Sequence, residues 1–242
     1  MFQGCSSLIS INLNKFKTIN VLNMKNMFNG CSSLKSIDLS NFDTSKVTNA
    51  RNLFKDCSSL ENININNINT KNIIDMSFMF NNCFSLTSIS LSNFDTSNVE
   101  TMRSMFSGCS KLTSIDLLHF DVKRVKDMES MFYDCSSLKN IDLKNFNSPN
   151  LEDIRNIFYN CNTLTSINLS MLNTYKIKHM SKMFYLCENL SYIDISSFKE
   201  NSTNTTLFDE NLPNNGTIII NKIFEPIIIN QIPKDWDIQI IE

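Results

Sequence analysis

The chain has 242 residues, a formal net charge of −2, 36 asparagines, and only four glycines and four prolines. So few glycines exclude the glycine-dense loops that bind phosphates, and neither GxGxxG nor GxxxxGK[ST] occurs. A weakly acidic chain without a basic block lacks the cationic surface that nucleic-acid binding requires. Nucleotide-binding enzymes of those classes and DNA- or RNA-binding proteins are therefore excluded.

A strict repeat of 26 residues dominates the sequence. Each copy has a cysteine, with a phenylalanine three residues before it and a leucine three residues after it. The cysteines are Cys5, Cys31, Cys57, Cys83, Cys109, Cys135, Cys161 and Cys187. Repeats of this length are typical of solenoids, in which each unit packs only on its neighbours. We expect eight tandem repeats over residues 1–199, the first one incomplete because Met1 stands in mid-repeat.

Each repeat contains two successive apolar patterns. In the repeat that begins at Cys31, residues 34–39 alternate as in a half-buried strand, and residues 47–54 carry the apolar stripe of a short helix. Asp43 lies between them, and its side chain is of the type that caps a helix start. In seven repeats a Gly, Asp or Asn precedes the cysteine, which suits the left-handed conformation that ends a helix; Leu186 is the exception.

These elements predict an α/β solenoid. We expect a right-handed leucine-rich repeat array, with a parallel β-sheet on the concave face and short helices on the convex face. After residue 199 the repeat ends, and residues 200–242 are predicted to form a polar connector and a small β cap. The cap strands are predicted at 217–220, 226–229 and 238–241.

Cysteine and methionine both have a packing explanation. Eight cysteines in an exported protein would allow four disulfides, but stacked equivalent side chains point the same way, so we expect buried free thiols. The MxxM pairs have the spacing of copper(I) ligands as well as of core positions, and packing is the stronger interpretation because Ala, Leu and Ile replace Met in the same columns. We expect no metal and no cofactor.

The candidate binding residues are outward strand positions and departures from the repeat. Four aspartates share one strand column, which allows acid–base pairs or a calcium site, but Asn and Ser in the same column favour a solvated surface. Tyr192 beside Asp194 is either a binding anchor or a cover for the last repeat. The predicted binding residues are Asp116, Leu118, His119, Asp142, Lys144, Tyr192 and Asp194. No catalytic residue is predicted.

Two repeats, MFNGCSSLKSIDLSNFDTSKVTN from Met27 and MFSGCSKLTSIDLLHFDVKRVKD from Met105, carry a family resemblance. They resemble the BspA-like leucine-rich repeats of the Mycoplasma lipoprotein-like surface-protein type, and the resemblance covers residues 1–199. It implies bacterial or protist surface proteins that bind host or partner macromolecules without catalysis.

The leading hypothesis is a noncatalytic cell-surface adhesion module that binds a protein or glycan of a host or neighbouring cell through its concave sheet. The alternatives are a structural spacer or antigenic decoy, and an intracellular protein-interaction scaffold. No stretch approaches the ~20 apolar residues of a membrane helix, and the first residues lack the features of a signal peptide. We expect a cell-surface or extracellular location, with a cytoplasmic one as the alternative, and end-to-end association through the uncapped N-terminal coil.

Overall fold

The structure is a computed structural model of the chain, and it describes residues 1–199 and 206–242. The repeats stack as successive coils, so that residues 26 positions apart in sequence lie beside one another. We number the coils 1 to 8 from their cysteines, so coil 1 begins at Cys5 and coil 8 at Cys187. Part of the predicted polar connector, residues 200–205, lies outside the described residues.

All the strands pair in parallel. The first sheet has two strands, β1 (Ser36–Asp38) and β2 (Asn62–Asn64). The second sheet has four strands in chain order: β3 (Ser166–Asn168), β4 (Tyr192–Ile195), β5 (Thr217–Asn221) and β6 (Asp237–Ile241). Residues 65–165, all of which the structure describes, contain no strand. We call the side of the stack formed by residues 35–40 and their equivalents the strand face.

The segments predicted as short helices are not helical in residues 1–199 as described. They form successive turns, and alternate N–H groups donate to carbonyls of the next coil instead of to the residue four positions back. In coil 2 four N–H groups donate to carbonyl oxygens of coil 3 at 2.8–3.0 Å. The donors are Ala50, Asn52, Phe54 and Asp56, and their acceptors are, in the same order, Asp75, Ser77, Met79 and Asn81. We call this side, residues 49–57 and their equivalents, the turn face.

The turn face is paired more continuously than the strand face. An unbroken series of parallel bridges crosses it, and coil-to-coil hydrogen bonds run beside the bridges. The bridged residues are Asn23, Asn49, Asp75, Thr101, Asp127, Asp153 and His179. A helix is thicker than a strand, so a solenoid with helices on one side and strands on the other curves toward its strands. The coils described here have turns in place of those helices, so this cause of curvature is absent.

Two columns of positive φ explain why no helix forms. The turn face of each coil contains two consecutive turns. The third residue of each turn has a positive φ, as in type II turns. The first column is Asn26, Asn52, Phe78, Ser104, Ser130, Asn156 and Lys182, at φ 51–59°. The second is the column before each cysteine, and all its members have φ between 56° and 77°, including Leu186 at 58°. The left-handed conformation predicted for that column is confirmed, but it ends a turn and not a helix.

The core is built from stacked identical side chains. Nine phenylalanine rings form one file, with neighbouring centroids 5.4–6.0 Å apart and planes within 15° of parallel. The rings are those of Phe2, Phe28, Phe54, Phe80, Phe106, Phe132, Phe158, Phe184 and Phe208. All eight cysteines are free, and seven are buried. Each buried Sγ donates to a phenylalanine carbonyl 29 residues earlier, at 3.1–3.3 Å, as expected of buried thiols.

The abundance of asparagine and aspartate has a local cause. At three corners of coil 2 an Asx side chain accepts the backbone N–H two residues further on, which closes an Asx turn, and the other coils repeat most of these turns. In coil 2 the acceptors are Asp38, Asp43 and Asn49, at 2.8–3.0 Å. The strand-column aspartates therefore shape the backbone, which explains why Asn replaces Asp there.

The C-terminal segment extends the stack. β5 and β6 form at two of the predicted cap strands, 217–220 and 238–241. The third prediction is wrong, because Glu225–Ile228 is an α-helix (α1) and Ile229–Gln231 a 3₁₀ turn. Pro226 favours the first turn of a helix, where its missing N–H has no partner to lose. Among the described residues, no helix has both the length and the apolar character to cross a membrane.

Candidate functional site

Several of the predicted binding residues lie together on coils 5 to 8. Asp142, Lys144 and Tyr192 line a groove of about 340 Å³ on the strand face. His119 and Lys144 line a second groove, of about 440 Å³. Because Lys144 belongs to both, the two grooves form one continuous surface.

Met171 lies at the centre of this surface. It lines both grooves and a third one of about 400 Å³, which also includes Tyr175 and Lys199. Its side chain is 56% exposed, and that of Tyr175 is 73% exposed, so large apolar groups face solvent here. We call the set His119, Lys123, Lys144, Met171, Tyr175 and Tyr192 the Met171 surface.

Met171 departs, as His119 does, from a column whose members link neighbouring coils in most repeats. In four coils an asparagine at this position donates its Nδ2 to the preceding coil. Those asparagines are Asn41, Asn67, Asn93 and Asn145, at 2.7–3.2 Å from their acceptors. Methionine lacks the amide that makes this bond. The methionine at position 171 therefore lacks this inter-coil hydrogen bond and exposes its thioether to solvent. The packing of the coils does not require a methionine at this position.

The charges of the Met171 surface are paired within their own coils. Lys144 Nζ lies 3.3 Å from Asp142, and Lys123 Nζ lies 3.6 Å from Asp121. The N–H of Lys144 donates to the Asp142 carboxylate, and this bond, with the ammonium beside it, lowers the pKa of Asp142. Both carboxylates also close Asx turns. The surface therefore offers apolar contact area edged by lysine–aspartate pairs.

Three of the predicted residues lie outside these grooves. Asp116 accepts the N–H of Leu118 at 3.0 Å, so it closes the corner of coil 5, and both residues are exposed. Asp194 is only 8% exposed, so the expectation of a solvent-exposed carboxylate beside Tyr192 is wrong. β5 pairs with β4 directly opposite Asp194, whose carboxylate accepts the N–H of Ser196.

A half-buried charge cluster on the turn face escaped the sequence analysis. Oxygens of Asp127, Glu129 and Asp153 lie within 4.8 Å of one another, which would suit a cation. Two arginines already bind them: Arg103 lies 2.5 Å from Glu129, and Arg155 reaches both Glu129 at 2.9 Å and Asp153 at 2.6 Å. Burial raises the pKa of Asp127, whereas the bond to Asp153 raises the pKa of Arg155. The alternation Arg, Glu, Arg along one column is the signal that could have revealed this cluster.

Another groove, of about 460 Å³, lies on the strand face of coils 1 to 4. It is lined by small polar residues such as Ser36, Asn62 and Ser88, with Asp38 and Glu61 as its acidic members. Most of these residues match their columns, and they present hydroxyl and amide groups without large exposed apolar ones. The Met171 surface is therefore the more distinctive of the two.

The stacked coils define a tandem-repeat protein of parallel-stranded, solenoid-like architecture, with its candidate site on the surface of the stack. The family model described as "Mycoplasma protein of unknown function, DUF285" matches residues 1–88, 60–169 and 135–211. The chain belongs to this family.

Comparison with solved structures finds a similar chain in the crystal structure of the T. pallidum leucine-rich repeat protein TpLRR. The alignment has 19% identity and a TM-score of 0.38, and it covers 89% of this chain and 75% of that one. A search of the curated proteins finds no match.

Proposed function

We propose that the protein is a noncatalytic recognition module that binds a protein partner through the Met171 surface. The observation that carries the proposal is the exchange of an inter-coil hydrogen bond for an exposed methionine at residue 171. Residues that break an otherwise consistent local pattern are expected at functional or strained sites. The neighbouring departures, His119, Lys144 and Tyr192, lie on the same surface.

The chemistry of the surface favours a protein over a glycan. Met171, Tyr175 and Tyr192 offer exposed apolar and aromatic area, and tyrosine is enriched among residues that dominate protein interfaces. Methionine adapts its shape to an irregular apolar partner. The lysine–aspartate pairs supply a polar rim around this apolar area.

The resemblance to BspA-like surface proteins supports a location at a cell surface and a role in adhesion. The surface also lacks the arrangement that catalysis uses. Its two carboxylates pair with lysines and close turns, so neither is a free acid or base.

The test restores the column residue. In Met171→Asn, the new amide can donate to the preceding coil, as Asn145 does to Leu118. Partner proteins are first identified by crosslinking purified protein to surface extracts of host or neighbouring cells, and affinity is then measured by biolayer interferometry. We expect Met171→Asn to weaken binding by about tenfold or more while the variant becomes more stable.

The matched control is Asn62→Ser, which lies in the distant groove of coils 1 to 4. Serine occurs at other positions of the same strand column, so this variant should leave the affinity unchanged. Equal affinity of the wild type and Met171→Asn would overturn the assignment of the site. Binding that survives protease treatment of the extract would indicate a glycan instead. Failure to crosslink any partner would favour the second candidate function, a spacer or decoy, which the regular stacking of the coils alone would serve.

A further inference from the structure

The chain keeps nearly all of its sulfur atoms away from solvent. Nine of its 12 methionines are at most 3% exposed, and seven of its eight cysteines are buried. The nine methionines are Met24, Met76, Met79, Met102, Met105, Met128, Met131, Met180 and Met183. Met27 is partly buried against the same core, whereas Met171 is 56% exposed and Met1 is 85% exposed. Within coils 2 to 8, Met171 is therefore the methionine that a dissolved oxidant reaches most easily.

The buried thiols do not compete for such an oxidant. A thiol reacts with peroxides as its thiolate. Burial raises the pKa of Cys57, Cys109 and Cys187 to about 12, so the thiolate does not form at neutral pH. Each of the three also lies inside the stack, where its Sγ donates to a phenylalanine carbonyl. The exposed cysteine, Cys5, belongs to coil 1 and lies outside the three grooves that Met171 lines.

Met171 is also the residue at which a change of polarity affects the most of the Met171 surface. It lines all three grooves, beside Lys144 and Tyr192 in one and beside Tyr175 in another. Oxidation of its thioether gives a sulfoxide, which is polar and accepts hydrogen bonds. Burying such a group against an apolar partner costs free energy unless the partner supplies a donor. One added oxygen atom therefore weakens apolar contact in all three grooves.

We propose that Met171 is a reversible oxidation site, at which a peroxide converts the thioether to a sulfoxide and thereby releases the partner of the Met171 surface. The exposure of this sulfur and the burial of its competitors support the oxidation. The position of Met171 between the grooves supports the release. The release rests on the proposed function, whereas the oxidation itself does not.

The reaction balances with hydrogen peroxide as its one co-reactant. A lone pair on Sδ of Met171 attacks one peroxide oxygen, so an S–O bond forms as the O–O bond breaks. The sulfur gives up two electrons, and the second oxygen leaves as water with both peroxide protons. Methionine sulfoxide reductases reverse the modification with two electrons from thiols and release the added oxygen as water, which makes the site a switch.

Peptide mapping by mass spectrometry tests the oxidation. The folded protein is treated with limiting hydrogen peroxide, the reaction is stopped with free methionine, and oxygen addition is followed at each methionine. We expect Met171 and Met1 to oxidise at least about tenfold faster than the buried Met102 and Met128, because solvent access limits the reaction. Circular dichroism confirms that the treated protein is folded. A rate at Met171 no higher than at Met102 and Met128 would overturn the proposal.

Biolayer interferometry with the partner protein identified by crosslinking tests the release. Cys5 is alkylated in every sample, so that no disulfide joins two molecules. We expect the oxidised wild type to bind about tenfold or more weakly than the untreated protein, and sulfoxide reductases to restore its affinity. Met171→Leu is the matched control, because it has no sulfur at this residue but retains Met1. Peroxide should not change the affinity that this variant has before treatment.

Unchanged affinity of the oxidised wild type, or an equal loss in treated Met171→Leu, would contradict the switch. Failure of the switch and failure of the proposed function give different results. If Met171→Asn binds as tightly as the wild type before any oxidation, the proposed function is wrong and the switch with it, whereas the mapped oxidation site stands. If Met171→Asn weakens binding and the sulfoxide does not, the proposed function stands and the switch is wrong.

Discussion

At the scale of single residues, side-chain hydrogen bonds to the backbone complete the coil-to-coil pairing. Thr96 is buried, and its hydroxyl donates to the carbonyl of Asp121 at 3.0 Å and accepts the N–H of the same residue at 2.8 Å. Thr70 and Thr44 make the same pair of bonds one and two coils earlier. The threonine hydroxyl thus makes the two hydrogen bonds to the next coil that a backbone N–H and C=O would make in a ladder.

Thr96→Val therefore tests this role, since it keeps the side-chain shape and removes the hydroxyl. We expect a loss of about 1–3 kcal/mol in the free energy of unfolding, because both polar groups of Asp121 lose their partner. Urea denaturation measures the loss. The control is Thr48→Val, at an exposed residue whose hydroxyl contact is long at 3.5 Å, and it should change stability by less than about 0.5 kcal/mol. Equal losses in the two variants would contradict the assigned role.

Leu186 provides a second test at this scale. Its φ of 58° is unfavourable for leucine, whereas Asn82 and Asn160 occupy the same column at φ 59° and 56°. Leu186→Asn should stabilise the protein by about 1 kcal/mol, because asparagine tolerates the left-handed region. Thermal and urea melts give the change. Asn160→Leu, the reverse substitution, should lower stability, and a result of opposite sign in either variant would show that backbone strain does not govern this column.

At the scale of elements, the sequence predicted the stacking but not the local structure of the turn face. Cysteine, phenylalanine and leucine recur without any change of spacing, so the columns and the strand pattern followed directly. The inward residues of two consecutive turns, such as Met102, Met105 and Phe106, have the spacing of a helical stripe, which led to the helix prediction. The asparagines in the first positive-φ column were the overlooked signal.

The candidate site was predictable in part because the spacing of the repeat is strict. Where packing fixes a column, a departure from it stands out, and this identified Lys144, His119 and Tyr192. The burial of Asp194 was not predictable, because the strand that covers it belongs to no repeat. The charge cluster at Asp127 was predictable from the spacing, because Arg103, Glu129 and Arg155 share one column and Asp127 and Asp153 share another, but this alternation of charge was overlooked.

The file of thiols predicts an alkaline loss of stability. Burial raises the pKa of Cys57, Cys109 and Cys187 to about 12 from an ordinary value of 9.0, and it raises the pKa of Cys83 well above that value. Between pH 9 and 12 an unfolded thiol ionises, whereas a folded one keeps its proton. The stability due to protonated thiols is therefore complete below pH 9 and declines as the pH rises, by about 1.4 kcal/mol per pH unit for each thiol.

Urea melts at a series of pH values above 9 measure this decline. Cys109→Ala removes one buried thiol, so its slope against pH should be smaller than that of the wild type by about 1.4 kcal/mol per unit. Met105→Leu gives the control, because Met105 is buried but carries no titratable group, so this variant should leave the slope unchanged. Identical slopes for the wild type and Cys109→Ala would mean that the thiol file is open to water.

At the scale of the whole molecule, the residues that hold the coils together differ from the outward residues that vary between coils. Inter-coil hydrogen bonds, the phenylalanine file and the Asx turns recur in coil after coil, so no single coil is indispensable to the architecture. Outward columns are then free to vary, and they do so most clearly at the Met171 surface. We infer that this surface is used for association with a partner protein.

The central claim is that coils pair through hydrogen bonds on both faces, without helices in the repeats. Far-ultraviolet circular dichroism of the purified protein tests it most directly. We expect the spectrum of a protein of β-strands and turns, in which α1 (Glu225–Ile228) is the one α-helix of the described residues and gives only a small helical signal. A strong double minimum typical of α-helix would show that the repeats contain helices, and it would contradict the turn face described here.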